Sequence, residues 1–135
     1  MLSARLELTA PFHDVDSMHV VWHGHYVKYF ELVRCQLLES FHYDYSEMFE
    51  SGYAWPVVDL RVKYVKPIRF NQKIIALATM TEWEYRLKII YRIIDAVDHT
   101  TLTKGQTTQV ALCMKTNEMC FETPDIFREK LGVSF

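Results

Sequence analysis

The chain has 135 residues, half of them apolar and 14% aromatic. That suits one domain with a real core and excludes a disordered chain. A formal net charge of −2 argues against nucleic acid as a main partner, because phosphate binding needs a clear excess of Lys and Arg. Cys35, Cys113 and Cys120 are odd in number and lack CxxC spacing, so they read as reduced thiols rather than a disulfide or zinc framework.

No run approaches the ~18 apolar residues that would span a membrane, and MLSARLELTAPF lacks the apolar stretch of a signal peptide. A cytoplasmic protein is expected. Residues 3–10, SARLELTA, set Ala4, Leu6 and Leu8 against Arg5, Glu7 and Thr9, which predicts a half-buried strand ended by Pro11. From about His23 to Phe41 the period changes. Tyr26, Phe30, Val33, Leu37 and Phe41 fall at helix spacing, and Val27, Tyr29 and Leu38 widen the apolar face. Lys28, Glu31, Arg34 and Glu39 leave a narrow polar stripe, so this helix should be enclosed by other structure. Glu31 and Arg34, three apart, read as a surface or interface ion pair.

A shorter helix through YSEMFESG follows, with Gly52 as its stop. PVVDLRVKYV then alternates Val58, Leu60, Val62 and Tyr64 with Asp59, Arg61 and Lys63. Pro67 and Asn71 mark a break before the β-rich run KIIALATMTEW. YRLKIIYRII sets Arg86, Lys88 and Arg92 on one face and Leu87, Ile89, Tyr91 and Ile93 on the other. DAVDHTT reads as a hairpin turn, KGQTTQVALCMKT as the last long strand, and TPDIFREKL as a short helix with Thr123 as N-cap and Pro124 in its first position. Consecutive strands joined by short turns make an antiparallel sheet. A helix this apolar needs that sheet to curl around it. The expected fold is therefore α+β: one domain over residues 1–135, a long central helix, and a curved antiparallel sheet of about five strands. The open edge of such a sheet is usually covered by a second copy.

The chemistry concentrates in DVDSMHVVWHGHYVKYFELVR, residues 14–34. Asp16 reads either as the N-cap of a turn over residues 17–20 or as a reactive carboxylate close to a helix N-terminus. Asp14 reads as a solvated loop acid or a turn-forming side chain. His23 suits hydrogen bonding at the helix start. His19 and His23 are four apart, but the helix is not expected to begin before His23, and no Glu follows His19, so no metal is expected.

The order of elements resembles the hotdog fold. Phe12-His13-Asp14-Val15-Asp16, then Val20-Val21-Trp22-His23, then Tyr26-Val27-Lys28-Tyr29-Phe30-Glu31, is similar to the acyl-CoA thioesterases of the 4-hydroxybenzoyl-CoA thioesterase type. Tyr64-Val65-Lys66-Pro67-Ile68-Arg69 is a second echo. The resemblance implies hydrolysis of an acyl-CoA or acyl-carrier-protein thioester, with Asp16 as nucleophile or general base and His23 assisting. It implies a backbone N–H near Val58 or Asp59 as oxyanion donor, a homodimer or homotetramer with sites at the subunit interface, and no cofactor beyond the coenzyme A of the substrate. Phe12, Trp22 and Tyr26 are candidates for the acyl group, and Lys66, Arg69 and Arg86 for the coenzyme A phosphates. The chain departs from the family pattern at Met18 (often Gly), His25 (often Asn) and Phe12 (often Tyr). Two other chemistries use the same scaffold: a non-catalytic hotdog module that binds an acyl thioester, and a dehydratase of 3-hydroxyacyl thioesters.

Overall fold

A computed structural model describes residues 2–133. The chain runs β1 (Ser3–Thr9), a 3-10 turn (Phe12–Asp14), a second 3-10 turn (His23–His25), α1 (Tyr26–Ser40), α2 (Tyr45–Glu50), β2 (Tyr53–Ala54), β3 (Val57–Tyr64), β4 (Lys73–Glu82), β5 (Leu87–Asp95), β6 (Thr101–Gln109), β7 (Leu112–Cys113), β8 (Glu118–Met119) and α3 (Asp125–Leu131). Five strands form one antiparallel sheet in the order β1-β4-β5-β6-β3. The α+β architecture and the five-stranded sheet are as the sequence predicts.

The alternation works as expected where both neighbours are present. In β5, Leu87, Ile89, Tyr91 and Ile93 are buried while Ile90 and Arg92 are exposed. These residues meet Phe30, Val33, Leu37 and Leu38 of α1, all fully buried, and the Phe30 ring stacks on Tyr91 at 4.5 Å. Gly105 of β6 lets that ring approach the sheet: a Cβ there would overlap Phe30 and come within 2.9 Å of the Arg61 carbonyl oxygen. Asp44 closes the start of α2 with a capping box, its carboxylate accepting the Glu47 N–H at 3.0 Å.

Three boundaries and one side-chain pairing differ from expectation. The α-helix starts at Tyr26, and His23–His25 form a tighter turn before it. The last long strand is broken at Val110–Ala111. Gln109 turns its Nε2 to the Trp55 carbonyl at 2.7 Å, and β7 joins a second, three-stranded sheet, β2-β7-β8. Thr123 does not cap α3. Pro124 holds that position, and the Thr123 hydroxyl and N–H both donate to the Glu84 carbonyl. Arg34 does not pair with Glu31. It is buried, with Nε donating to the Tyr45 hydroxyl at 2.7 Å and Nη1 to the Tyr91 hydroxyl at 3.5 Å.

β3 ends the sheet on one side, and its apolar residues other than Val62 are open. Val57, Val58, Leu60 and Tyr64 are all exposed. Val58 is the extra residue of a bulge between Val57 and Asp59, out of register with β6. Among the described residues no helix is long and apolar enough to cross a membrane.

Candidate active site

The loop between β1 and α1 is folded tightly. Val15 bridges to Val21, the Asp16 N–H donates to the Val20 carbonyl at 2.9 Å, and the His19 N–H donates to the Asp16 carbonyl at 3.0 Å. The Met18 N–H donates to Asp16 Oδ1 at 2.8 Å. Asp16 thus closes an Asx-type turn, a tighter motif than the helical turn anticipated over residues 17–20. His19 takes φ 62° to complete it, a conformation that costs a non-glycine residue energy and needs the surroundings to hold it. They do so through the segment before β4. Val20 bridges to Arg69, Val21 N–H donates to Ile68 O at 2.7 Å, and Phe70 N–H donates to His19 O at 3.2 Å.

Tyr26, the first residue of α1, floors this loop. It is 2% exposed, accepts the Ile68 N–H at 3.1 Å, and meets the Tyr64 ring edge-on at 4.8 Å. Burial pushes its phenol up against the opposing hydrogen bond from Ile68, and the Asp16 carboxylate adds to the rise. Tyr64 in turn donates its hydroxyl to the His23 carbonyl at 2.7 Å. Asp16, His23, Tyr26, Tyr64 and Arg69 therefore share one end of the molecule. No hydrogen bond or ion pair joins Asp16 to His23 among the described residues. The His23 ring is exposed and lies against Trp22 at 4.8 Å. Phe12, Met18 and Trp22 are all exposed around the loop, at 73%, 74% and 47%, and Phe12 packs edge-on to Phe70.

Asp14 corrects the sequence reading. It is 1% exposed rather than solvated. Its carboxylate accepts Lys28 Nζ at 2.5 Å and the Tyr29 hydroxyl at 2.7 Å, with His25 Nδ1 at 4.0 Å. Burial pushes this carboxyl up, but the hydrogen bonds from Lys28 and Tyr29 and the Lys28 charge together hold it below the ordinary range. No sequence spacing signals this, because the partners lie on another element.

The remaining candidates divide between two ends of the sheet. Lys66 and Arg69 line an open groove of about 450 Å³ with Gln72 and Asp95, beside the Asp16 loop. Arg86 is not on the face of β5. It sits in the turn before that strand and is tied to Glu82 at 2.5 Å. Val58 and Asp59 share its end of the sheet: Val57 and Leu87 both pair with Gln109, and the Asp59 charge is felt at Arg86. In one chain, Val58 and Tyr64 are separated by most of β3, roughly 20 Å at the rise of a strand.

The sequence matches the thioesterase-like superfamily over residues 10–131. It is 28% identical over 120 residues to the provisionally named esterase sll0410 of Synechocystis, covering 88% of this chain and 72% of that protein. Among solved structures it resembles a DHNA-CoA thioesterase from Staphylococcus aureus, with a TM-score of 0.81 and 25% identity, covering 90% of this chain and 81% of that one. It also resembles Slr0204, a 1,4-dihydroxy-2-naphthoyl-CoA thioesterase from Synechocystis, with a TM-score of 0.86 and 18% identity over 96% of both chains.

Proposed function

The chain belongs to the thioesterase-like superfamily and is an acyl-CoA thioesterase of the hotdog fold; we propose that Asp16 is the nucleophile or general base of its reaction. The observation that carries this is the hydrogen bond from Met18 N–H to Asp16 Oδ1. It fixes one carboxylate oxygen and leaves Oδ2 without a hydrogen-bonding partner among the described residues. An oriented carboxylate on a rigid turn suits either direct attack on a thioester carbonyl or proton removal from water. Direct attack gives a mixed anhydride and expels the thiolate of coenzyme A; water then releases the acid. His23, one turn ahead of α1, assists by hydrogen bonding.

The carbonyl oxygen becomes an oxyanion and needs a preorganised donor. A second copy of the chain supplies it. Antiparallel pairing of two open β3 edges brings the Val58–Asp59 bulge of one copy toward the Tyr64 end of the other. Arg86 comes with it, so the basic residues of both ends, Lys66, Arg69 and Arg86, serve the phosphates of one coenzyme A. Exposed Phe12 and Trp22, above the buried Tyr26, serve the acyl group. The enzyme is a cytoplasmic homodimer, or a tetramer of such pairs, acting on acyl-CoA or the phosphopantetheine thioester of a carrier protein. No resident cofactor takes part.

The test is thiol release from short, long and aromatic acyl-CoAs by wild type and Asp16→Asn side by side. Release that collapses in the variant supports the assignment, and the preferred acyl group names the substrate class. Full activity in Asp16→Asn overturns it. Tight acyl-CoA binding without release points to a binding module, and an enoyl product from a 3-hydroxyacyl thioester points to a dehydratase.

A further inference from the structure

The outer face of the five-stranded sheet, turned away from α1, carries a charge pattern that the chemistry at Asp16 does not use. Residues directly opposite each other in a ladder point to the same face. The register sets Arg92 of β5 opposite Lys104 of β6, and Lys104 opposite Lys63 of β3. Tyr91 and Ile93, on either side of Arg92, are buried on the α1 side, so the three cations project outward. All three are exposed. One strand apart from each other, they form a row roughly 10 Å long.

Like charges directly opposite one another destabilise a sheet, and nothing on this face offsets them. Its acids are held elsewhere: Glu7 by Arg5 at 3.4 Å, Asp59 by Arg61 at 3.3 Å, and Glu82 by Arg86. Among the described residues, Lys63, Arg92 and Lys104 make no ion pair. The row also leads to the candidate site. The Val65 and Lys66 N–H groups both donate to the Leu102 carbonyl, at 3.0 and 2.9 Å, so the chain turns over the end of β6 just beyond Lys63. That turn opens on the groove of Lys66 and Arg69, and Arg69 bridges to Val20 of the Asp16 loop. From Lys63 to Lys66 is three residues, roughly 10 Å at the rise of a strand.

We propose that this outer face docks an acidic acyl carrier protein, whose phosphopantetheine arm passes over the Lys66–Arg69 rim to bring its thioester to Asp16. The proposal rests on the hydrolysis reading and names the form in which the substrate arrives. Charge complementarity selects an anionic partner and steers its approach. Ile90, 45% exposed and two residues from Arg92 on the same face, adds the apolar contact that a protein partner uses. A polynucleotide would need a basic excess that a chain of net charge −2 lacks.

The test compares the same short, long and aromatic acyl groups on coenzyme A and on an acidic acyl carrier protein, for wild type, Arg92→Glu and Lys104→Glu. On the carrier protein, kcat/KM should fall about 10-fold or more in each variant, through KM, while acyl-CoA rates stay within about twofold of wild type. The wild-type KM for the carrier protein should rise with salt. Lys104→Glu, set between two cations, should melt no lower than wild type, so a lost rate is not a lost fold. Equal loss on both carriers overturns the proposal. So do unchanged carrier-protein rates, wild-type cleavage of acyl-CoA alone, or variants that lose only binding to vesicles of anionic phospholipid. No thiol release from either carrier overturns the hydrolysis reading, and this proposal with it.

Discussion

Tyr29 donates its hydroxyl to the Asp14 carboxylate at 2.7 Å, joining the first turn of α1 to the loop that carries Asp16. Lys28 grips the same carboxylate from the next position. The Asp14 carbonyl oxygen also accepts the Trp22 N–H at 3.0 Å, so one buried residue ties both sides of the loop to the helix. Asp14→Ala leaves the Tyr29 hydroxyl unpaired in the interior, while the half-exposed Lys28 regains water. The expected loss is about 3 kcal/mol in urea unfolding, with Asp14→Asn roughly half as damaging because it keeps the shape and an acceptor.

The same carboxylate sets an acid limit. Its folded value lies below the ordinary 3.8, so its stabilisation is complete above that pH and is lost as pH falls through the lower folded value. Unfolding free energy measured between pH 6 and 2 should stay level down to about pH 4 and drop below it. In Lys28→Met, burial is opposed only by Tyr29 and the weaker His25 charge, and the drop should flatten.

Much of the frame was legible in the chain because it depends on local period. β4 and β5 alternate or run apolar as buried strands must, and Phe30, Val33 and Leu37 fall on one helical stripe. The site was legible only in part. Asp14 looks like any loop acid until Lys28 and Tyr29, 14 and 15 residues away, are folded over it. Arg34 has an acid three residues before it, the usual sign of a surface pair, yet the fold offers it Tyr45 and Tyr91 from two other elements. The break after Gln109 was hidden for a similar reason: Val110-Ala111-Leu112-Cys113 keeps strand composition, but Trp55 and Pro56 hold the break and Tyr53–Ala54 draw the chain into another sheet.

Gly105 should be far less replaceable than Gly24. At Gly105 an added methyl meets the Phe30 ring on one side and the Arg61 carbonyl on the other, and neither has room to retreat. Gly105→Ala is expected to cost about 1–3 kcal/mol in thermal unfolding. At Gly24 the nearest overlaps are with the Trp22 ring, which is half exposed and can swing out. Gly24→Ala should leave the melting temperature nearly unchanged and instead disturb the packing of Trp22 on His23, read as altered KM for acyl-CoA.

Arg34 is buried with two phenols and, among the described residues, no carboxylate within ion-pairing distance. Its burial is therefore compensated only by neutral acceptors. Arg34→Met, which keeps the volume, should cost less than about 1 kcal/mol or raise the melting temperature. Arg34→Ala should cost about 3 kcal/mol, through the cavity and the donor lost to the Tyr45 hydroxyl, while Tyr91 keeps its bond to Thr107. Calorimetry on the two variants separates packing from charge.

An edge strand with Val58, Leu60 and Tyr64 in solvent should be the contact between copies. Leu60→Lys places a charge on that edge without touching the Asp16 loop. The expected outcome is a folded monomer by light scattering and circular dichroism, with kcat/KM down about 100-fold or more, the scale of losing an oxyanion donor. A Leu60→Lys dimer with full activity would remove β3 as the interface.

The strand order β1-β4-β5-β6-β3 also fixes a sequence of events in time. Both outer strands come from the first half of the chain, and their partners come later: Ser3 waits for Thr79, and Val57 for Gln109. Within this sheet β4, β5 and β6 find neighbours through short turns, so these local pairings can form before the long loops close. A growing chain emerging from the ribosome therefore carries β3, with its sticky open side, unpaired until β6 has been made. The edge proposed for partnership in the finished protein is a hazard during its birth, and Arg61 and Lys63, interleaved along it, set charge against premature pairing.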